Sequence, residues 1–247
     1  MQPPDARYRD WPALGFAMFF PLMMSYTTFI LLDAATDRGL LRTFGIGKVF
    51  QFAFPALYVF WFERDDLRFV WPSWHGVPIG VGFALIVGGL MFPLYYLLVR
   101  HIPGVEETPR MIFNRLQHLD QATPARYLGL AIFICVPHAL LEEYYWRWFV
   151  FGWLRRSVPM WAAILLSSIG FMLHHVVILS VYFPGNFWTL ALPLSLCVAV
   201  GGGVWAWLYD RTGTIYAGWL SHCLIDSAIV ILGYCMMWDL FHPPLVA

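Results

Sequence analysis

Acidic and histidine side chains lie deep inside three apolar segments in the second half of the chain. The segments carry, in order, the pairs Glu142 and Glu143, His174 and His175, and His222 and Asp226. Ionisable residues inside membrane segments cost about 2.5–3.5 kcal/mol each on insertion scales, so this clustering indicates a function. Carboxylates and imidazoles can give and take protons near neutral pH, so these residues form a candidate acid–base and hydrogen-bonding group at membrane depth.

The first segment contains two adjacent glutamates with different surroundings. Glu143 and Arg147 are four residues apart, so they share a helix face and can form an ion pair. An internal ion bridge that holds a helical bundle together is sufficient to account for that pair. Glu142 has no such counter-ion, and it lies about 15 residues (~22 Å) from the start of its helix. Glu142 is therefore the candidate general base or acid.

The other two segments carry histidines whose positions also differ. Adjacent helical residues point about 100° apart, so only one of His174 and His175 can face a given site, and we expect His174 to be structural. His222 and Asp226 share a face, although an aspartate that merely orients a histidine is an alternative interpretation. Counting from the helix ends puts His175 and His222 at depths that differ by ~12 Å, a gap that helix offset or tilt must close.

The composition of the chain excludes an ordinary soluble domain. Of its 247 residues, 60% are hydrophobic and 12% are charged. Soluble domains have about 45–50% apolar and about 25% charged residues. Fifteen basic and fifteen acidic residues leave no net charge, so nothing in the charge balance favours a nucleic-acid partner.

Seven long apolar runs predict an all-α, multi-pass membrane bundle of seven or eight helices in a single domain, 1–247. The predicted spans are 13–32, 44–62, 77–99, 127–154, 158–182, 188–209 and 214–240. The first span is too long for the core of a signal peptide, so we expect it to remain as an anchor. In the connection 100–126, Thr108 as a cap and Pro109 in the first turn predict a short helix in the membrane interface; a solvated loop is the alternative.

The three polar segments resemble the motif set of a protease family. That set is EExxxR, then FxxxH, then HxxxN or HxxxD. Here the motifs read Glu142-Glu143-Tyr-Tyr-Trp-Arg147, Phe171-Met-Leu-His174-His175 and His222-Cys-Leu-Ile-Asp226. Over about residues 127–230 the chain is thus similar to the CPBP family of CAAX prenyl endopeptidases (type II) and bacteriocin-processing intramembrane proteases. It departs from the family at Trp148, where glycine is frequent, and at Asp226, where asparagine is frequent.

The resemblance implies an intramembrane endopeptidase in the cell membrane, surrounded by lipid and acting on a membrane-associated peptide that is lipidated or carries a sorting tail. The implied site consists of the catalytic residues Glu142, His175, His222 and Asp226, with Glu143 and Arg147 in support. Glu142 would activate water that His175 holds. Because a charged aspartate would repel an oxyanion, Asp226 is expected either to be protonated or to orient His222 as a donor.

The buried polar residues are also compatible with three alternative functions. No cofactor is expected, although Glu142, His175 and His222 with a water would match the ligand number of a catalytic zinc site. The chain has no HExxH motif. A haem carrier could use His138, His174, His175 and His222 but would leave the acidic residues without a role. A transporter that uses the carboxylates as proton carriers is the third alternative.

Overall fold

The computed structural model describes residues 10–31, 38–62 and 71–243, and in the second of these ranges it describes side chains from residue 44 onward. These ranges contain helices and short connections and no strand, which confirms the predicted all-α class. The helices are α1 (Trp11–Leu31), α2 (Arg38–Phe62), α3 (Val77–His101), α4 (Thr108–His118), α5 (Pro124–Ser157), α6 (Met160–Tyr182), α7 (Phe187–Thr212), α8 (Tyr216–Met236) and α9 (Trp238–Phe241).

Seven of the described helices are long and apolar enough to cross a membrane, as predicted, namely all except α4 and α9. Helix α5 is longer than its predicted span. It starts at Pro124, where the Thr123 side chain accepts from the amide of Arg126, and it ends at Ser157, before Pro159. The last predicted span reaches residue 240, whereas α8 ends at Met236 and is followed by α9. Apolar composition continues through this break, so hydropathy does not reveal it.

The short helix predicted between the third and fourth spans is present as α4. Thr108 is its first residue and not its cap, because the Thr108 hydroxyl donates to the carbonyl oxygen of Tyr182 at 3.0 Å. Leu116 buries its side chain in a small apolar cluster with Met237 and Phe241. The connection is therefore a helix packed against the ends of α6 and α9, and the solvated-loop alternative is wrong.

Helix α5 changes its winding twice around the turn that carries both glutamates. The segments Ile134–His138 and Tyr144–Phe151 are π-helical, and the single α-helical turn Ala139–Glu143 lies between them. Pro137, inside the first wide segment, has no amide hydrogen to donate. Wide turns of this kind are frequent at functional sites because they displace side chains from the regular helical register.

Helix α3 packs on α8 through a row of small residues. Gly80, Ala84 and Gly88 are its buried positions, spaced four apart. A Cβ added to Gly80 would lie 2.8 Å from the carbonyl oxygen of Ala217 in α8. Small residues at this spacing let two membrane helices approach closely enough for their backbones to touch. The contact with α3 thus fixes the start of α8, which carries His222.

We expect Gly80→Ala to destabilise the protein because its methyl group meets backbone that cannot move without separating α3 from α8. Overpacking of this kind costs about 1–3 kcal/mol. Gly89→Ala is the matched control, since a Cβ there meets nothing within 4 Å, and it gains about 1 kcal/mol of helix propensity. Thermal unfolding of both variants in detergent should show a lower melting temperature for Gly80→Ala alone. Equal melting temperatures would contradict the close α3–α8 contact.

Candidate active site

Glu142 lies at the centre of a group of histidines from three helices. Its Oε1 is 3.8 Å from Nε2 of His138 and 3.9 Å from Nε2 of His174, and its Oε2 is 3.7 Å from Nε2 of His222. The side chain is 6% exposed. Glu142 and His222 thus come together as the sequence predicts. His174, whose ring lies 4.1 Å from that of His175, reaches the same carboxylate, so an offset between α6 and α8 closes the ~12 Å difference in depth between His175 and His222.

Glu143 points away from Glu142 into a fully buried ionic junction, which consists of Glu143, Arg147 and His222. Oε1 of Glu143 accepts a hydrogen bond from Nδ1 of His222 at 3.0 Å and pairs with Nη1 of Arg147 at the same distance. This confirms the predicted pairing of Glu143 with Arg147. Gly218 makes room for the carboxylate, because a Cβ there would lie 2.8 Å from Oε2 of Glu143.

The guanidinium of Arg147 is held between two aromatic rings. Its central carbon lies 4.6 Å from the centre of the Phe171 ring and 4.9 Å from that of Trp205. A Cβ on Gly202 would approach both Phe171 and Arg147 at 3.3–3.4 Å. Cation–π contacts gain strength where water is excluded, so α6 and α7 together stabilise the charge that Glu143 neutralises.

His222 connects the ionic junction to Glu142. Its Nδ1 donates to Glu143, and its Nε2 lies 3.7 Å from Glu142 and 3.6 Å from Oδ2 of Asp226. The imidazole stacks on Trp205, with ring centres 4.1 Å apart and planes 17° apart. Because one nitrogen is held by Glu143 and one ring face by Trp205, Nε2 has a defined direction toward the two remaining carboxylates.

The two adjacent histidines of α6 both lie at the site, in different roles. His174 stacks on Trp146 and turns Nε2 toward Glu142. His175 donates from Nδ1 to the carbonyl oxygen of Phe171 at 3.0 Å, which leaves its Nε2 as an acceptor. The rings of Phe171 and His175 are 4.9 Å apart, which confirms that they share a face. The sequence analysis expects His174 to be structural, yet its Nε2 lies 3.9 Å from Oε1 of Glu142. Among the described ion pairs, His175 has none with Glu142.

Two residues that the predicted protease site does not include also lie near Glu142. His138 lies four residues before Glu142 on the same helix, and this spacing could have identified it as a neighbour. Lys48 of α2 acts electrostatically on Glu142 and on three of the histidines. Nothing in the sequence of α2 indicates which of its faces meets α5.

At the departure from the family pattern, Trp148 stacks on Tyr144, with ring centres 5.1 Å apart.

The residues do not form a metal centre in this geometry. Within the described ranges, no group of three or more His, Cys, Asp or Glu side chains is arranged to hold a metal ion. The candidate zinc ligands Glu142, His175 and His222 therefore do not fit a zinc ion as they are placed.

Comparison with known proteins supports the family resemblance. Residues 124–228 match the family model "Type II CAAX prenyl endopeptidase Rce1-like". The matched stretch contains all six residues of the predicted site and α5 from its first residue. Over this part of the chain it confirms the similarity to the CPBP family. Searches of curated proteins and of solved structures give no match.

We expect Glu143→Gln to reduce stability before it affects any chemistry. The substitution leaves the buried charge of Arg147 without its partner, and breaking a buried pair in this way costs about 3–5 kcal/mol. Melting temperature and yield after membrane extraction should both fall. Glu107→Gln is the control, because Glu107 is exposed at the start of α4. A Glu143→Gln protein as stable as the control would show that the ionic junction does not hold the bundle.

Proposed function

We propose that this protein is an intramembrane endopeptidase that hydrolyses a peptide bond of a membrane-associated substrate, with Glu142 as the general base. The observation that carries the proposal is the division between the two adjacent glutamates. Glu143 is occupied by Arg147 and His222 at 3.0 Å. Among the ion pairs of the described residues, those of Glu142 are all with histidines, at 3.7–3.9 Å. Its carboxylate is therefore free to take a proton.

The geometry supports a water-mediated reaction. Separations of 3.7–3.9 Å between Glu142 and the imidazole nitrogens are too long for direct hydrogen bonds but can be bridged by a water molecule. In the proposed step, Glu142 takes one proton from this water while the water oxygen bonds to the carbonyl carbon of the scissile amide. The other O–H of the water stays intact and donates a hydrogen bond to Nε2 of His175, which orients the water. Glu142 then delivers its proton to the amide nitrogen, and the C–N bond breaks.

His222 is assigned to the oxygen of the scissile carbonyl. This oxygen becomes negative in the tetrahedral intermediate, and a positioned N–H donor stabilises the charge. Since Nδ1–H of His222 donates to Glu143, Nε2 can serve as that donor only in the protonated imidazole, in which both nitrogens carry a hydrogen. Asp226, 3.6 Å from Nε2, then orients the ring, or it is protonated so that it does not repel the oxyanion. Both roles keep Asp226 within the catalytic group.

The substrate class follows from the family and the surroundings of the site. The matched family is named for prenyl CAAX endopeptidases, and the seven apolar helices make this chain a multi-pass membrane protein. We assign the protein to the cell membrane. We expect its substrate to be a lipidated peptide or one with an apolar sorting tail, since the lipid group or the tail would hold the peptide at the depth of Glu142.

Replacing Glu142 by glutamine tests the proposed base directly. The amide keeps the size of the side chain and removes the proton acceptor. An uncharged group is also less costly in the membrane, so the fold should persist. We expect an unchanged melting temperature and a loss of at least ~10²–10⁴-fold in cleavage of a prenylated fluorogenic peptide. A well-folded Glu142→Gln protein that cleaves at the wild-type rate would exclude Glu142 as the base.

The two adjacent histidines can be separated by single substitutions. We expect His175→Ala to abolish cleavage, because no acceptor then orients the water. His174→Ala should retain activity within about tenfold while lowering the melting temperature, since it removes the ring that stacks on Trp146. The measurements are kcat/KM with one peptide and thermal unfolding of each variant. The reverse order of activities would assign the water to His174, whose Nε2 is 3.9 Å from Glu142.

A further inference from the structure

An indole from α8 reaches the first wide turn of α5. Nε1 of Trp219 donates to the carbonyl oxygen of Val136 at 2.9 Å. Val136 lies in the π-helical segment Ile134–His138, which directly precedes the turn with both glutamates. Trp219 lies three residues before His222 in α8. The hydrogen bond therefore joins the two helices next to the point where Glu142 and His222 meet.

The carbonyl oxygen of Val136 is available to the indole because the winding of α5 is irregular there. The amide of Ala139 is shared between the carbonyl oxygens of Ile134 and Val136, so neither oxygen receives that donor alone. Pro137 has no amide hydrogen to contribute. Carbonyl groups at membrane depth need a donor from the protein, and side chains insert where a helix ladder is interrupted. Trp219 supplies that donor from outside the helix.

A second hydrogen bond joins the same two helices far from the site. The hydroxyl of Tyr127 in α5 donates to the carbonyl oxygen of Val230 in α8 at 2.8 Å. Gly233 leaves space for this hydroxyl, since a Cβ there would lie 3.0 Å from it. Tyr127 lies 15 residues before Glu142, so of these two bonds only that of Trp219 adjoins the site.

Glu142 is fixed along α5 from both sides. On its C-terminal side, Glu143 is anchored in the ionic junction by two contacts of 3.0 Å. On its N-terminal side, the nearest hydrogen bond between a described side chain of another helix and α5 is that of Trp219. The ionic junction does not include this side, so the turn that carries His138 depends on the indole for its attachment to α8.

We propose that Trp219 is a positioning residue, which holds the wide turn of α5 against α8 and so places Glu142 opposite His222. The inference rests on the proposed function for its effect on catalysis, and it adds a residue that lies outside the three motifs. Without the indole N–H, the turn shifts and Glu142 moves relative to the imidazoles of the other helices. A misplacement of about 1 Å costs a factor of about 10² in rate.

The test compares Trp219→Phe with Tyr127→Phe as the matched control. Each substitution keeps an aromatic ring and removes one donor between α5 and α8, so both should lower the melting temperature by a similar amount, about 2–4 °C. In Trp219→Phe alone, kcat for a prenylated fluorogenic peptide should fall about 10–100-fold, with KM within about threefold of the wild-type value. Equal losses of kcat in the two variants, or a wild-type kcat for Trp219→Phe, would overturn the inference.

A second replacement separates the hydrogen bond from packing, because phenylalanine is smaller than tryptophan. β-(3-Benzothienyl)alanine at position 219 keeps the shape of the indole and has sulfur in place of the N–H group. It should reproduce the loss of kcat, whereas 7-azatryptophan, which keeps the N–H group, should retain the wild-type kcat. Full activity of the benzothienyl protein would show that Trp219 acts by packing alone, and the inference would be wrong.

Hydrogen exchange tests the positioning without relying on cleavage. Measured by mass spectrometry in detergent, the amides of residues 134–143 should exchange faster in Trp219→Phe than in wild-type protein, and Tyr127→Phe should affect only residues 124–133. This pattern supports the inference even if wild-type protein cleaves no peptide, a result that would count against the proposed function instead. Unchanged exchange over residues 134–143 in Trp219→Phe would overturn the inference whatever the cleavage result.

Discussion

The ionic junction of Glu143, Arg147 and His222 is the contact on which the site depends. It joins α5 to α8 through one carboxylate that pairs with a guanidinium and accepts from an imidazole, each at 3.0 Å. Glu143 and Arg147 are at most 2% exposed, so neither charge can be compensated by water, and loss of one partner strands the other. Only small residues, Gly218 beside the carboxylate and Gly202 beside the guanidinium, leave enough space for the pair.

The same junction explains how neighbouring residues of one type have different functions. On a single α-helical turn, Glu142 and Glu143 point in different directions. Glu143 meets Arg147 and one nitrogen of His222, whereas Glu142 meets His138, His174 and the other nitrogen of His222. Glu143 is held through Oε1 by two contacts of 3.0 Å and serves the structure. Glu142 keeps only longer contacts with imidazoles and so retains the capacity to bind a proton. The Glu143–Arg147 pair positions His222, and Oε2 of Glu142 lies 3.7 Å from the other nitrogen of the same imidazole.

Local patterns in the sequence predict much of this arrangement. Hydropathy predicts all seven spans, and four-residue spacing predicts both the Glu143–Arg147 pair and the proximity of His222 and Asp226. Non-local features are not predictable in this way. The approach of Lys48 depends on how α2 is rotated, and the depth match of His175 with His222 depends on the offset between α6 and α8. Residue spacing identifies neighbours along one helix; it does not give the register between helices.

Helix α5 changes its surroundings at the turn that carries Glu142. Before that turn its large apolar side chains face outward, with Leu128, Ile132, Phe133 and Val136 all at least 40% exposed. After it, six of the eight residues of Tyr144–Phe151 are buried. Val136 and Glu142 are six residues apart, ~9 Å along a helix. Under the proposed function, an acyl or prenyl chain diffusing in the plane of the bilayer would approach Glu142 along this outward face of α5, with no need to leave the hydrocarbon and rehydrate.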